Sequence, residues 1–491
     1  MRKRMIRYCS AFVILLPFTL VPLYGQSLGD SLEKKDSSSS SEQEESMDDF
    51  SDFDTSFPPR FTFTGFTELE NFVSTYPDQE PSDFNKKNEI RTKLDMKYGT
   101  DTFYVKSVLN LYVMPTFIEE DFYDEYRYSD QFRVMRNGSI SNEAFEVNIR
   151  ELFVNYASGK YRLRAGNQVF NWGTADVFNP TAYFNPFDLR ELLFKDDDEL
   201  KLGVPAVSAM LFLDWFNIET VFVPLHVGSA FPVRNNFWAI EYREAPFPVE
   251  VIQMQEMEVT AANMGYGIRL TKNIRGVDVS ASGYHGPDRE PFLRPLETEV
   301  VPNQPVTVLV QPETRVINAG GMDVVFTWDR FTIQGEGAFT MDKPGVVEQE
   351  FSQNVELPFQ VKRSPHYAYA VGFNYFVPMD WLLEDHAGNT LFTVEWAQSK
   401  YTDSSLMAPL FSDILTMRFE DQYWDNRIEF KLTYIMDVKE SAFILWPEMG
   451  YDFRNGFKMN LAYQHIEGNN DSLFNYYEDN DFIKLGLQYA F

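Results

Sequence analysis

Asp481-Phe482-Ile483-Lys484-Leu485-Gly486-Leu487-Gln488-Tyr489-Ala490-Phe491 reads as a strand with two unlike faces. Counting back from Phe491, the apolar or aromatic positions Tyr489, Leu487, Leu485 and Ile483 alternate with Ala490, Gln488, Gly486 and Lys484. A period of two places neighbouring side chains on opposite sides of a sheet. One face must therefore meet apolar surroundings and the other a mixed or aqueous one. Such a strand belongs in a soluble β-structure with an aromatic core or in a closed barrel within a membrane.

The upstream sequence supplies more strands of the same kind. Ile90, Thr92, Leu94, Met96 and Tyr98 share one face, and Glu89, Arg91, Lys93, Asp95 and Lys97 share the other. Residues 99–101 form a turn, after which Phe103, Val105, Ser107, Leu109, Leu111 and Val113 alternate with Tyr104, Lys106, Asn110 and Tyr112. A strand face carrying five charges in nine residues cannot pack on a dry core. It faces water, and the apolar face is covered by protein or lipid. The pattern then repeats. Short turns at 158–160, 214–217, 273–276, 328–330, 378–389, 425–426 and 454–456 alternate with long excursions at 117–144, 172–203, 227–257, 287–313, 342–364 and 402–413. This asymmetry predicts an all-β chain forming a single transmembrane antiparallel barrel of about 18 strands, with short periplasmic turns and long extracellular loops. Sixteen strands is the alternative, because 414–423 is the weakest of the set.

The N-terminal region has a different character. Arg2, Lys3, Arg4 and Arg7 precede an apolar run over 11–24. That is the layout of a secretory signal peptide, here expected over 1–25, and the run is shorter than the about 20 residues a membrane helix needs. Residues 26–59 are expected to be an acidic, Ser-rich, disordered periplasmic segment, and 60–491 the barrel. The formal charge is -30, and removal of the four cations in 1–25 makes it -30 - 4 = -34. This disfavours nucleic-acid partners, whose binders carry a basic footprint. The only cysteine is Cys9, so after export there would be no disulfide and no thiolate chemistry. These features point to the outer membrane of a diderm bacterium. Tyr489 and the terminal Phe491 resemble the C-terminal signature recognised by the barrel-assembly machinery, an expected partner beside outer-membrane lipid.

Charges on the inferred lumen faces are unevenly distributed. Arg91, Lys93, Lys97, Lys106, Arg150, Arg162 and Arg164 come from early strands, and Asp278, Asp323, Glu336, Glu395 and Glu429 from later ones. One reading is a pore with a basic wall and an acidic wall, whose transverse field would orient solutes. The other is that these groups pair across neighbouring strands and only solvate the interior. Arg150 and Glu151 fall on opposite faces, which suggests a bulge there.

The densest stretch is 166–190, with Gly166, Gln168, Trp172, Gly173, Asp176, Asn179, Pro180, Asn185, Pro186, Asp188 and Arg190. Two Asn-Pro pairs make a turn-rich, structured excursion. The run G-x-Q-x-x-x-W-G-x-x-D-x-x-N-P-x-x-x-x-N-P-x-D, with Val204-Pro205-Ala206-Val207 after it, resembles a family of bacterial outer-membrane barrels catalogued mainly as a domain of unknown function and related to large porin-like channels. The likeness covers the fourth to seventh strands well and the last strands loosely. It implies a porin-like barrel with a folded inward loop, and it names no substrate. The loop over 172–203 then reads as a constriction, with Trp172, Asp176, Asp188 and Arg190 as candidate solute contacts. Trp172, Gly173 and the Asn-Pro turns read better as the frame of a strand-to-loop corner. Asp196, Asp197, Asp198 and Glu199 could attract Ca²⁺, but their spacing matches no EF-hand loop, and a solvated acidic loop accounts for them.

Neither a zinc-binding H-E-x-x-H nor a G-x-S-x-G nucleophile motif surrounds the five histidines. The expected function is therefore non-enzymatic and cofactor-free: an outer-membrane channel for passive diffusion of small hydrophilic or amphipathic solutes. The alternatives are a surface-exposed adhesion or ligand-binding barrel with a plugged lumen and, more distantly, an outer-membrane hydrolase.

Overall fold

The computed structural model describes residues 58–75, 85–113, 133–141, 145–191, 195, 199–231, 238, 249–251, 257–299, 307–348, 359–379, 390–409, 412–469 and 472–491. The expected signal peptide, nearly all of the acidic segment, Asp196–Asp198 and most of the 378–389 turn lie outside these residues. Among the described residues eighteen strands form one closed ring: β1 (Arg60–Ser74), β2 (Asn85–Gly99), β3 (Phe103–Val113), β4 (Phe145–Ser158), β5 (Tyr161–Gln168), β6 (Val204–Phe212), β7 (Asn217–Val223), β8 (Gly265–Ile274), β9 (Val277–Pro287), β10 (Val316–Trp328), β11 (Phe331–Val346), β12 (Val361–Val377), β13 (Thr390–Tyr401), β14 (Asp413–Tyr423), β15 (Ile428–Asp437), β16 (Ala442–Asp452), β17 (Phe457–Glu467) and β18 (Phe482–Ala490). Each pairs antiparallel with its neighbours in sequence. β18 then pairs antiparallel with β1, with Leu69 opposite Leu487 and Glu68 opposite Gln488. The weakly patterned segment at 414–423 is the genuine strand β14, so the count is 18 and not 16.

The seam is finished by the last residue. Phe491 N–H donates to Gly65 O at 2.9 Å, Gly65 N–H donates to Phe491 O at 3.0 Å, and the Phe491 ring stacks on Phe63 at 5.5 Å. Closure leaves no sheet edge, which is the condition for strands to cross a hydrocarbon layer.

The two faces separate as the periodicity requires. Leu485, Leu487 and Tyr489 are all more than 40 % exposed on the outer surface, while Phe482 is buried inside. Other outward positions include Phe61, Leu163, Ile268, Met322, Ile333 and Leu461. An apolar surface running round the whole ring is unfavourable in water and favourable in lipid. Trp215, Trp328 and Trp424 are among the most exposed side chains, and all three sit at the short-turn end. A belt of tryptophan at one end of a barrel suits the membrane–water interface.

Two details concern register and loops. Val108 pairs with Glu151 and Leu109 with Ile149, so Arg150 is the extra residue of the bulge its sequence suggested. The long excursions carry structure that alternation alone did not reveal. Val249–Val251, Phe292–Glu299 and Thr307–Glu313 form a separate three-stranded sheet, and Arg133–Val134 pairs with Ile140–Ser141. β11 and β12 also run on past the expected ends, pairing as far as Val346 opposite Val361.

The interior is not uniformly polar. Phe72, Ile435, Ile444, Ile466, Phe474, Tyr477 and Phe482 form a buried cluster on the long-loop side of β1 and β14–β18. A second cluster, built on Phe170, Trp172, Tyr183, Phe184 and Tyr284, lies against β6–β10.

Deleting Phe491 removes the two backbone bonds to Gly65 and the stack on Phe63. Barrel folded in the outer membrane, measured as the heat-modifiable band, should fall several-fold, and normal yield would contradict the role given to the seam. Leu485→Arg, near the middle of β18, should destabilise the barrel by roughly 2–4 kcal/mol, and Tyr489→Arg, near its end, by about 0–1 kcal/mol. Equal costs in denaturant titration would contradict the lipid-facing assignment.

Candidate functional site

Between β5 and β6 the chain leaves the wall, and the described residues of 169–203 fold inward as a strap. Asn185 closes its base: its side-chain Oδ1 accepts from Phe170 N–H at 2.7 Å, and its Nδ2 donates to Gln168 O at 3.0 Å and Leu202 O at 2.8 Å. Trp172 is buried edge-on against Phe184 at 4.8 Å, with its indole N–H donating to Glu219 at 2.9 Å. Trp172 thus frames the corner and is not an open solute contact. The wall is trimmed to receive the strap. A Cβ at Gly267 would meet Phe184 and Trp172, and one at Gly321 would meet Thr181 and Tyr183. Gly173 has φ +94°, and a side chain there would run into Asn179 and Glu336. The residue types of the W-G and Asn-Pro motif follow from these contacts.

The tip of the strap is gripped by two wall carboxylates. Glu336 on β11 accepts from the backbone N–H groups of Thr174 (2.7 Å), Ala175 (3.0 Å) and Thr181 (2.6 Å), and from the Thr181 hydroxyl (2.8 Å). Glu395 on β13 accepts from the N–H groups of Asp176 (2.6 Å), Val177 (3.1 Å) and Phe178 (2.9 Å). Both carboxylates are buried. Asp176 is held from the side, its Oδ2 accepting from Gln334 at 2.6 Å and Asn374 at 3.1 Å. A carboxylate offers about four lone-pair directions, so one group can satisfy several consecutive turn N–H donors. Glu336 and Glu395, expected on the inner face of the wall, accept hydrogen bonds there from the strap's backbone.

The returning arm is tied to the opposite wall by charge. Arg190 donates to Glu146 through both terminal nitrogens, at 2.7 and 3.0 Å, and reaches Asp188 at 2.6 Å. Lys195 reaches Asp188 at 2.7 Å. Lys87 pairs with Glu191 at 2.7 Å, and Arg91 bridges Glu68 (2.7 Å) and Glu199 (2.8 Å). Lys484 on β18 pairs with Glu70 at 2.6 Å. Asp188 and Arg190, expected as solute contacts, are therefore shut inside a network: they are 1 % and 5 % exposed. Burial pushes the Asp188 carboxyl up, but Arg190 and Lys195 outweigh burial and hold it well below the usual carboxylate range. The Arg190 guanidinium, opposed by burial, is held well above its ordinary value by Asp188 and Glu146.

Of the two readings of the lumen charges, the contacts fit pairing across neighbouring strands. Glu68, Glu70, Glu89 and Glu146 share the inward face with Lys87 and Arg91, so the early wall is mixed. Among the expected later acids, Asp323 pairs with Arg269 at 2.9 Å and Glu429 with Lys458. Lys106 pairs with Glu151 at 3.0 Å, and Lys97 lies 3.9 Å from the exposed Asp101 and 4.3 Å from the Tyr104 ring centre. Arg162 and Arg164 touch Met210 and Asn155 at 3.5 and 3.1 Å. Lys93 lies inward on β2, in register with Phe66 and Asn110, and Asp278 bonds Asn273 at 2.8 Å beside the turn. Among the described residues no group of three or more His, Cys, Asp or Glu is placed to hold a metal ion.

Beside the strap, on the long-loop side, is a cavity of about 290 Å³. Phe178, Phe187, Phe292, Val346 and Trp446 line it, with Arg289, Thr416, Arg418 and Thr433 as polar members. The sequence reading missed this feature, because its lining comes from segments spread between residues 177 and 446.

The two tethers act on separate amides. Glu336→Ala should speed hydrogen exchange at Thr174, Ala175 and Thr181 by about tenfold or more, since a hydrogen bond to a charged group contributes about 1.5–3 kcal/mol. Glu395→Ala should do the same at Asp176, Val177 and Phe178, and identical exchange maps for the two variants would contradict the assignment. Asp188 titrates below its unfolded value, so its stabilisation is complete above about pH 4 and is lost as pH falls through the folded value. Asp188→Asn should cost about 3–5 kcal/mol in urea unfolding from pH 7 down to about pH 4 and flatten the acid limb below that. Wild-type stability of this variant at pH 7 would remove the anchor.

Comparison with known proteins adds a family and a set of structural likenesses. The chain resembles Acinetobacter baumannii OccAB3 with 11% identity over 88% of this chain and 99% of that one, at a TM-score of 0.45. It resembles Acinetobacter baumannii OccAB1 with 7% identity over 88% and 95%, at 0.47, and Salmonella typhi OmpF, solved in complex with daunomycin, with 11% identity over 88% and 97%, at 0.39. No curated protein sequence matches the chain. Residues 73–397, more than half of the chain and including the whole strap, match the family described as "Protein of unknown function (DUF1302)", and this protein belongs to that family.

Proposed function

We propose that this barrel is an outer-membrane, porin-like channel through which small solutes diffuse passively, and that the strap sets the width of its lumen. The observation that carries the reading is the pair of tethers on Glu336 and Glu395, which fix the middle of a wall-to-wall loop inside a closed barrel. A loop that served only the outer surface would gain nothing from spending two buried carboxylates on its backbone. The apolar outer face and the tryptophan belt support placement in a membrane. The mixed, largely paired charges of both walls favour a lumen that is polar without strong preference for one ion sign. The route needs no catalyst or cofactor, and its expected partners are outer-membrane lipid, the assembly machinery at the C-terminal strand and the solutes themselves.

A second reading, a plugged barrel whose long loops bind a surface partner, draws on the buried apolar cluster of Phe72, Ile444, Ile466, Phe474 and Phe482 inside the ring. Planar-bilayer recording separates the two. Stable, uniform current steps are expected from the purified barrel, with larger steps after deletion of 176–200. Folded protein that gives no steps would overturn the channel, and unchanged steps after the deletion would overturn the constriction.

A further inference from the structure

We propose that the cavity beside the strap is a binding site for an organic anion with an apolar body, taken up in transit through the channel. The volume, about 290 Å³, lies near the lower end of small-molecule sites, which hold about 300–1,000 Å³. Its lining is mainly carbon, from the strap (Phe178, Phe187), the loop sheet (Phe292) and the wall (Val346, Trp446). A strongly hydrated solute would exchange water for surfaces that offer it few hydrogen bonds. An apolar body gains on the same transfer.

The polar members decide the sign of the charge. Arg289 enters the cavity with its side chain only 8% exposed. Its Nη2 donates to Asn179 O at 2.7 Å and its Cζ lies 4.7 Å from the Phe187 ring centre, but its Nη1 has no hydrogen-bond partner within the protein. A buried, charged donor left open in this way is costly unless an acceptor fills it. The neighbouring Glu290 does not: it lies 3.6 Å from Nη2, and its other oxygen is taken by Lys343 at 2.9 Å. Lys343 also takes Asp288, at 3.1 Å, so Lys343 and Arg289 together balance Asp288 and Glu290, and what stays open is the Nη1 donor of Arg289. Arg418 also lines the cavity, with Glu420 3.6 Å from its Nε. On the facing wall, the hydroxyls of Thr416 and Thr433 are buried and likewise have no partner within the protein. The arrangement suits a carboxylate against Arg289, an apolar body across the aromatic floor and a weakly polar group against the threonines. Glu290 also lines the cavity, but its carboxylate is shared between Lys343 and Arg289, so a cation would compete with pairs already made where a carboxylate would add one.

The role of the site rests on the channel reading, but its existence does not. Calorimetry on the full, folded barrel in detergent, with 2-naphthoate, its neutral analogue 2-naphthamide and the hydrophilic anion gluconate, tests it directly. One saturable site for 2-naphthoate is expected, at least tenfold weaker binding of the amide, and none of gluconate. Arg289→Gln should erase the preference for the acid over the amide. Because that change could also loosen the strap at Asn179, Thr433→Phe is the second variant: it fills the cavity from the opposite wall and should abolish 2-naphthoate binding. Equal affinity for acid and amide, no saturable binding by either, or full binding by Thr433→Phe would overturn the site. A barrel that binds 2-naphthoate but passes no current refutes the channel and keeps the site; one that conducts without discriminating binding refutes the site and keeps the channel.

Discussion

The structure depends first on closure. A strand that crosses hydrocarbon has no water to satisfy its N–H and C=O groups, so its ladder must continue on both sides. The pairing of β18 with β1 meets that demand, and the Phe491–Gly65 backbone pair carries it to the final residue. Everything inside follows from the ring being complete. Only a closed wall offers opposite faces across which a loop can be tied, and only a wall sealed from lipid can keep Glu336, Glu395, Arg91 and Arg190 among polar partners.

The strap uses two kinds of anchor for two kinds of end. At the tip, where the chain turns and its N–H groups have no strand partner, carboxylates of β11 and β13 accept them. On the returning arm, where side chains rather than backbone meet the wall, buried ion pairs join Arg190, Glu191 and Glu199 to β4 and β2, and Asp188 braces Arg190 from within the strap. The desolvation cost of burying so many charges is offset only when every charge is matched, which is why single losses at such sites are expensive. The strap is thereby fixed in place, and the cavity beside it acquires one wall that belongs to a loop and another that belongs to the barrel.

Much of the fold was legible in the sequence. A period of two is a local property, and it located the strands and the bulge at Arg150, while the inward course of the 166–190 stretch was implied by the family resemblance of its motif. The site was only partly legible. Glu336 and Glu395 look alike whether they face a solute or a backbone N–H, because alternation fixes the face and not the partner. Asp188 and Arg190 were read as solute contacts because their partners, Glu146 and Lys195, lie on another strand and farther along the loop. The choice between one-sided walls and paired charges stayed open for a related reason: Glu68 and Glu146 come from strands that hold neither Arg91 nor Arg190, and only the fold sets them beside those two cations. The cavity had no local signal at all, since its lining is brought together only by the path of the strap.

The central claim is that the strap lies across the lumen, fixed to the far wall. Paired cysteines test it most directly, because the sequence after Cys9 is free of cysteine. Asp176 on the strap and Asn374 on β12 are in hydrogen-bond contact at 3.1 Å. The Asp176→Cys, Asn374→Cys barrel should be cross-linked in high yield in the folded state by a short bis-methanethiosulfonate, whose spacer covers the gap between side chains that touch only at their tips, with single-channel conductance the same before and after reduction. Failure to cross-link in the folded barrel, or a large change in conductance on reduction, would contradict a strap already fixed to that wall.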